Sequence, residues 1–449
     1  MTQPVQDQGN PSRLPPAFLE RDGTQRPADH YDAPQLTADH GPVQFHVMAK
    51  PVGAICNLDC TYCFYLHKER SPAGLGRGRM SEATLELFIR QYIEGVTGTE
   101  VTFTWQGGEP ALRGLDFYRR AVALQKQYAR PGQVIQNDLQ TNGTLLDDEW
   151  CAFLKENRFL VGLSIDGPRA VHDQYRVTRR QQPTFDSVMQ AVSRLRKFGV
   201  PFNTLTCVHR RNARQPIDIY RFLRDEVGST YMQFTPVVEY RGFDQRSVSA
   251  NRALLQPQES DPESRPGHVN SVVTEWSVDP EDWGYFLCRL FDRWVARDLG
   301  KIYVNQFETL VAQHLDLPSH LCVYSEHCGK GVAVEHDGSI YACDHFVYPE
   351  YKIGHLQESS LRQAVLSRDQ VKFGYAKRES LPQVCHACPY LSDCWGECPK
   401  NRILSSASGE PGLNYLCRGL KQFYTHALPH VERIAAGLRN QPISQGRRM

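Results

Sequence analysis

The sequence has no excess of charge of either sign and no long apolar run. Its 449 residues contain 51 Lys and Arg against 50 Asp and Glu, a net charge of +1. A protein that binds nucleic acid or an anionic membrane surface clusters Lys and Arg, so we expect neither partner. No stretch of about eighteen apolar residues occurs, and we therefore expect no membrane-spanning helix.

The N-terminal string MTQPVQDQGNPSRLPP lacks the basic and apolar segments of a secretory signal peptide. We therefore expect a cytoplasmic protein. In a reducing compartment, clustered thiols more often serve metal or redox chemistry than disulfides. The 14 cysteines are accordingly candidates for metal ligands, and a chain of this length needs no crosslinks to bury a core.

Composition divides the chain into five segments. Residues 1–42 are rich in proline and polar residues, which predicts a flexible extension. Residues 43–240 alternate short apolar runs with helical periodicity, whereas residues 241–321 contain an aperiodic insertion and connecting helices. Residues 322–420 are loop-rich and cysteine-rich, and residues 421–449 form a C-terminal helix and tail.

The second segment predicts an α/β fold. The predicted strands are 101–105, 134–139, 159–165, 203–208 and 231–235. The predicted helices, including two beyond this segment, are 115–128, 147–156, 185–198, 217–226, 280–299 and 420–438. Alternating strands and helices indicate a parallel sheet with outer helices, either doubly wound or closed into a full or partial barrel.

Polar strings follow three of these strands: QGGEP at 106–110, QTNG at 140–143 and SIDGP at 164–168. Each string alone is typical of an ordinary turn. Because the carboxyl ends of parallel strands share one edge of a sheet, the three together predict a common pocket.

The string CNLDCTYC at 56–63 places three thiols within eight residues. Three ligands are too few for a structural zinc site without a distant fourth. On a four-iron cluster they leave one iron open for a small molecule.

With QGGEP about forty residues later, this string resembles the radical S-adenosylmethionine (SAM) enzymes. The resemblance implies that Cys56, Cys60 and Cys63 hold a [4Fe–4S] cluster to which SAM binds, and that reduction yields a 5′-deoxyadenosyl radical. It also implies SAM contacts by a set of matching positions: Tyr62, Gly107, Gly108, Glu109, Ser164, Arg176 and Val238. Without the resemblance, Arg176 reads equally well as a solvated charge.

Eight further cysteines follow Cys322. Spacing alone favours two structural zinc sites. The pattern, with strings such as CGKGVAVEHDGSIYACDHFVYPE and GLNYLC, resembles instead the SPASM-type extension of anaerobic sulfatase-maturating enzymes. That resemblance implies two auxiliary [4Fe–4S] clusters, one on Cys322, Cys328, Cys343 and Cys398 and the other on Cys385, Cys388, Cys394 and Cys417. Where this family often has a second glycine, the chain has Glu397.

The resemblance implies a partial (β/α)6 TIM-type barrel followed by a SPASM domain. It implies oxidation of a Cys or Ser side chain to formylglycine in an unfolded or nascent sulfatase with a Cys/Ser-x-Pro/Ala-x-Arg motif. The radical removes one β-hydrogen, an auxiliary cluster takes the second electron, and a flavodoxin or ferredoxin donates electrons. Asp344 alone is typical of a turn former. The resemblance implies that it is the base that takes the proton of the target thiol or hydroxyl. We expect burial and a nearby cluster to raise its pKa.

Two other functions remain open at this stage. The same fold and clusters serve enzymes that crosslink ribosomal peptides, and a zinc scaffold without catalysis needs only the cysteine spacing. Cys151, Cys207 and Cys288 lie within predicted elements, and we expect them to be small buried core residues.

Overall fold

The computed structural model describes residues 44–65, 68, 78–242 and 256–440. The predicted extension over residues 1–42 lies outside the described residues, as do 243–255 of the predicted insertion and 441–449 of the predicted tail. The segment boundaries drawn from the sequence stay predictions.

Seven parallel strands form the centre of the fold. They are β1 (His46–Ala49), β2 (Glu100–Trp105), β3 (Val134–Thr141), β4 (Leu160–Ser164), β5 (Phe202–Val208), β6 (Tyr231–Pro236) and β7 (Tyr303–Val304). They lie side by side in chain order, each paired in parallel with the next. Apolar residues on successive strands build the core, as expected for a parallel sheet covered by helices.

Helices connect and cover these strands. They are α1 (Glu82–Gly95), α2 (Leu115–Tyr128), α3 (Asp148–Glu156), α4 (Arg169–His172), α5 (Phe185–Phe198), α6 (Pro216–Arg221), α7 (Pro280–Arg297) and α8 (Asn305–Gln313). Sequence periodicity predicts the bounds of α2 and α5 correctly, and Asp147 caps α3 by accepting from Trp150 N. No described helix has the length and apolarity needed to span a bilayer.

The predicted helix at 217–226 is two elements. Helix α6 ends at Arg221, and a π-helical turn continues over Phe222–Val227 to Gly228, whose φ is +70°. Apolar periodicity does not distinguish the two helix types over so short a segment, because the buried residues keep one face.

The cysteine-rich region continues the same sheet. Strands β8 (Gly331–Val334), β9 (Ser339–Tyr341) and β10 (Lys352–His355) form an antiparallel set, and β8 pairs in parallel with β1. The described sheet therefore has ten strands in the order β10-β9-β8-β1-β2-β3-β4-β5-β6-β7. The predicted α/β fold with a C-terminal SPASM unit is confirmed.

The remaining elements surround the second group of cysteines. They are α9 (Leu361–Val365), α10 (Arg368–Glu379), α11 (Gln383–His386), α12 (Leu391–Cys394), β11 (Arg402–Ser405), β12 (Pro411–Asn414) and α13 (Cys417–Arg439). Helix α13 packs closely on α7, since a Cβ on Gly419 would lie 1.9 Å from Pro280 O. This contact ties the C-terminus to the helices that follow the barrel strands.

Candidate active site

The three thiols of the first cysteine string lie together in the loop after β1. Cys60 is buried, and Cys56 and Cys63 are partly buried. Burial, with the nearby Glu109 and Cys63 acting in the same direction, raises the pKa of Cys56 to about 12. The Cys56 sulfur also accepts from Leu58 N at 3.3 Å. The loop therefore collects three thiols, as the sequence predicts.

The QGGEP string packs directly against this cysteine loop. Gly108 N donates to Gly53 O, and a Cβ on Gly108 would lie 2.1 Å from Ile55 O. Gly107 has a φ of +124°, which favours glycine. The two glycines are thus required by the close approach of two backbones, whatever else they bind.

The Glu109 carboxylate is fully buried and bound by this chain's own donors. It accepts from Ala111 N at 3.0 Å, Thr141 Oγ1 at 2.7 Å and Asn142 N at 2.7 Å. Burial raises the pKa of Glu109 to about 7 although these hydrogen bonds lower it. Glu109 therefore joins the ends of β2 and β3, and through Asn142 it reaches the cysteine loop.

A buried carboxylate that the sequence analysis did not select lies at the next strand end. Asp166 accepts from Tyr62 Oη at 2.5 Å and Cys207 N at 3.0 Å, and its Oδ2 lies 3.0 Å from Arg176 Nε. Burial alone would raise the pKa of Asp166, but Arg176 beside it holds the pKa below its usual range. Asp166 belongs to the SIDGP string, so its position at a strand end was the available signal.

The other predicted SAM contacts follow or end neighbouring strands. Ser164 Oγ accepts from Gln140 Nε2 at 3.1 Å, and Arg176 is buried over the Tyr62 ring at 5.6 Å. Val238 follows β6 and is buried, and its carbonyl accepts from Lys400 Nζ at 2.6 Å. Polar groups from four strand ends thus converge near the three thiols.

Cys207 differs from the prediction of a buried core residue. Cys151 and Cys288 are buried, whereas Cys207 is partly exposed, with its sulfur 3.8 Å from Arg176 Nη2. It stands near the end of β5, where a side chain faces the strand-end pocket instead of the helix layer.

Asp344 lies where the cysteine-rich region meets the barrel. Its carboxylate is 5% exposed and receives both a 2.6 Å ion pair from Lys50 and a hydrogen bond from Tyr65 Oη. Lys50 follows β1 and is fully buried, with Glu335 a second partner at 3.5 Å. Both Lys50 and Tyr65 come from the barrel side, so Asp344 is held by groups from the other half.

The expected raised pKa of Asp344 is wrong. Burial raises it, but the buried ammonium groups of Lys50 and Lys68 outweigh burial and lower the pKa to about 2. Sequence reasoning missed Lys50 because nothing in the string around residue 50 indicates a partner almost three hundred residues later.

Four thiols gather beside Asp344. Burial raises the pKa of Cys343 well above its usual value, and Cys322, Cys398 and Cys328 lie near enough to raise it further. The chain therefore brings together the set that the resemblance implies, including Cys398 from the later cysteine string.

The other four thiols, Cys385, Cys388, Cys394 and Cys417, line one cavity between α11, α12 and α13. In the described ranges, no three Cys, His, Asp or Glu side chains converge to hold a single metal ion. A [4Fe–4S] cluster spreads its ligands over four irons. The donor set of four partly buried thiols around one cavity fits such a cluster.

Two family models match the chain. Residues 51–223 match the radical SAM superfamily, and residues 322–389 match an iron–sulfur cluster-binding domain, SPASM. The first match contains the three-thiol loop and the strand-end pocket. The second contains Asp344 and five of the later cysteines.

Two curated relatives span nearly the same length as this chain. A serine-type anaerobic sulfatase-maturating enzyme of Bacteroides thetaiotaomicron is 44% identical, over 88% of this chain and 92% of that protein. A cysteine-type anaerobic sulfatase-maturating enzyme of Clostridium perfringens is 30% identical, over 88% and 99%.

A solved structure described as native anSMEcpe with bound AdoMet and Cp18Cys peptide has the same architecture. Its TM-score is 0.73 at 29% identity, covering 88% of this chain and 99% of that one. Sequence, site and fold agree, and the chain belongs to the anaerobic sulfatase-maturating enzymes, radical SAM enzymes that generate formylglycine.

Proposed function

We propose that this enzyme oxidises a serine in a sulfatase polypeptide carrying a Cys/Ser-x-Pro/Ala-x-Arg type motif. The serine assignment is supported by the 44% identity with a serine-type enzyme, against 30% with a cysteine-type one. The observation that carries the activity is the buried Asp344, ion-paired with Lys50 at the junction of the barrel and the SPASM unit.

Three sets of thiols hold three [4Fe–4S] clusters in this proposal. The first set is Cys56, Cys60 and Cys63. The second is Cys322, Cys328, Cys343 and Cys398, and the third is Cys385, Cys388, Cys394 and Cys417. SAM binds among the strand-end residues Tyr62, Gly107, Gly108, Glu109, Ser164, Arg176 and Val238. Support comes from the convergence of each set in space.

Bound clusters and SAM supply a radical that removes a β-hydrogen and an acceptor for the second electron. The chain's own residues remove the proton of the target hydroxyl. Asp344 accepts the proton of the target hydroxyl, and its ionised carboxylate is fixed by Lys50 and Tyr65. Loss of a hydrogen atom, a proton and an electron converts the serine side chain to an aldehyde.

The target segment reaches this buried site as an unfolded or nascent chain, with a flavodoxin or ferredoxin as the electron donor. We place the enzyme in the cytoplasm, because cluster thiols that are mostly only partly buried stay reduced in a reducing compartment. The balanced charge supports recognition by a shaped pocket instead of a long-range field.

Matched peptides test the target assignment. The anoxically reconstituted enzyme is incubated with SAM, a reductant and a sulfatase-derived peptide carrying either Ser or Cys at the target position. Mass spectrometry should show loss of two hydrogen atoms from the serine peptide. Absence of an aldehyde from both peptides, while SAM is cleaved, would overturn the proposed function.

Asp344→Asn tests the base. Asparagine keeps the shape but does not accept the proton, so 5′-deoxyadenosine should still form while formylglycine is lost. Iron and sulfide content, measured on the same sample, serves as the control for cluster assembly. Full product formation by this variant would show that another group takes the proton.

A further inference from the structure

The Lys68 side chain is buried and has no oxygen partner among the described residues. The residue is 3% exposed, and its Nζ makes no hydrogen bond with any part of the chain that the structure describes. Other buried lysines are satisfied: Lys50 pairs with Asp344, and Lys377 donates to Cys322 O and Val323 O. An ammonium group removed from water without an acceptor is costly, so this site calls for one.

Three aromatic rings surround the ammonium group. Lys68 Nζ lies 5.0 Å from the Phe64 ring centroid, 5.4 Å from that of Tyr65 and 5.3 Å from that of Tyr348. Ring faces attract a cation, but they do not replace oxygen acceptors for three N–H groups. These three rings form an aromatic cage that positions Lys68 Nζ. Its N–H groups have no hydrogen-bond acceptor among the described residues.

The cage adjoins the candidate base. The ring of Tyr65 lies under the ammonium group, and its hydroxyl donates to Asp344. Phe64 and Tyr65 directly follow the first three thiols, whereas Tyr348 comes from the SPASM unit. Lys68 therefore stands between the two halves of the active site, where the target side chain must meet Asp344.

The charges facing Lys68 come from several elements. Burial, together with Lys50, lowers the pKa of Lys68 to about 7, although Asp344, Glu335 and Glu239 act to raise it. Among the described residues none of the three carboxylates forms an ion pair with Lys68: Asp344 and Glu335 pair with Lys50 at 2.6 and 3.5 Å, and Glu239 pairs with Lys400 at 2.9 Å. The described residues therefore leave the acceptor for Lys68 to be supplied by a bound molecule.

We propose that Lys68 Nζ donates a hydrogen bond to the hydroxyl oxygen of the target serine, which makes Lys68 a specificity-determining residue. A hydroxyl oxygen is a good acceptor and a thiol sulfur a weak one. A hydroxyl is also a weaker acid than a thiol, so a cation beside the oxygen helps Asp344 to take the proton. The proposal rests on the proposed function, since it requires a target hydroxyl at this site.

The test compares Lys68→Met with the parent enzyme on the matched Ser and Cys peptides. Methionine keeps the apolar stem and removes the donor. Loss of a hydrogen bond to a charged donor costs about 1.5–3 kcal/mol, so kcat/KM on the serine peptide should fall roughly 10- to 100-fold. On the cysteine peptide the loss should stay below about threefold, because sulfur accepts weakly.

Two further variants complete the experiment. Lys68→Arg keeps charge and donors and should recover part of the serine activity, while Lys126→Met, at an exposed position of α2, should leave both activities unchanged. If Lys68→Met assembles too little iron and sulfide to assay, Lys68→Leu, which also lacks a donor, decides with the same Ser-to-Cys ratio. An unchanged ratio of kcat/KM values overturns the role of Lys68. Failure of the parent enzyme on both peptides overturns the proposed function instead.

Discussion

Lys50 links the two halves of the active site through one buried ion pair. It leaves β1 on the barrel side and meets Asp344 of the SPASM unit at 2.6 Å, with both side chains nearly inaccessible to water. Gln106 supports the same network by donating to Tyr65 Oη at 3.2 Å. A buried charge that loses its partner stays desolvated. Removing one partner of this pair should therefore destabilise the protein far more than breaking a surface ion pair of similar distance.

Lys50→Met should destabilise the protein by about 3–5 kcal/mol and lower the yield of formylglycine per 5′-deoxyadenosine. The reason is that Asp344 and Glu335 lose their shared cation. Denaturant unfolding and product ratios check the two effects. The matched control is Lys197→Met, which breaks a 2.5 Å pair with Asp148 at 63% exposure and should cost less than about 1 kcal/mol. An unchanged product ratio in Lys50→Met would contradict this role.

Asp166→Asn should weaken SAM binding by roughly tenfold, because Arg176 loses the carboxylate that orients it. Calorimetric titration with SAM in the absence of reductant measures the change. Asp186→Asn is the control, since it removes an exposed carboxylate that pairs with Arg169 at 2.5 Å. Equal SAM affinity in parent and Asp166→Asn would assign Asp166 to the local fold only.

At the residue scale, the sequence predicts the thiols but not the lysines that lie beside Asp344. The cysteines are visible because ligand spacing is local, as in CNLDCTYC. Lys50 and Lys68 carry no local signal, because their meaning depends on Asp344 and Tyr348, which the fold brings close. The expected direction of the Asp344 pKa shift was wrong because the sequence does not indicate that Lys50 is its partner.

One short element joins the two sets of later thiols. Trp395, Gly396 and Glu397 all have left-handed φ, of 45°, 64° and 49°, between Cys394 and Cys398. Non-glycine residues adopt this conformation at a cost of roughly 1–2 kcal/mol each. The turn is held because one oxygen of Glu397 accepts from both Asn401 and Asn414. A buried carboxylate thus lies in the segment between Cys394 and Cys398, where the family often has glycine.

Glu397→Gln should raise the reduction potentials of the auxiliary clusters. The carboxylate disfavours negative charge on its neighbours, as shown by its contribution to the raised pKa of both Cys394 and Cys398, where burial is the larger cause. Glutamine retains an oxygen for the two asparagines and removes the charge. Redox titration followed by electron paramagnetic resonance measures the shift, with Glu410→Gln on the β11–β12 side as the control. Unmoved potentials would contradict the electrostatic effect.

At the element scale, the strands and long helices of the barrel could be predicted because their apolar period is local. Helix α2 at Leu115–Tyr128 is an example. The π-helical turn at Phe222–Val227 could not be predicted, because its buried face resembles that of an α-helix. The pairing of β8 with β1 was also missed, since strand partners distant in sequence leave no periodic signal.

At the scale of the whole molecule, the barrel and the SPASM unit share a sheet, a buried ion pair and a helix contact. The β8 strand covers the edge of β1 with the register Val47 to Val332, and α13 packs on α7. The two family models therefore describe regions of one cooperative structure.

A fragment ending at residue 321 should not fold to a stable monomer. It would expose the β1 edge and leave Lys50 buried without Asp344. Thermal unfolding and gel filtration of the fragment, beside the full chain prepared in parallel, check this outcome. A monomeric fragment with the cooperative transition of the full chain would show that the barrel is independent.

The pairing of β1 with β8 also orders events during synthesis. Strand β1 lies at His46–Ala49, and its partner at Gly331–Val334 emerges from the ribosome on the order of tens of seconds later. During that interval one edge of the nascent sheet is open, and the ammonium of Lys50 has no counterion. The β1 edge and the Lys50 ion pair are therefore completed only after the SPASM unit has been synthesised.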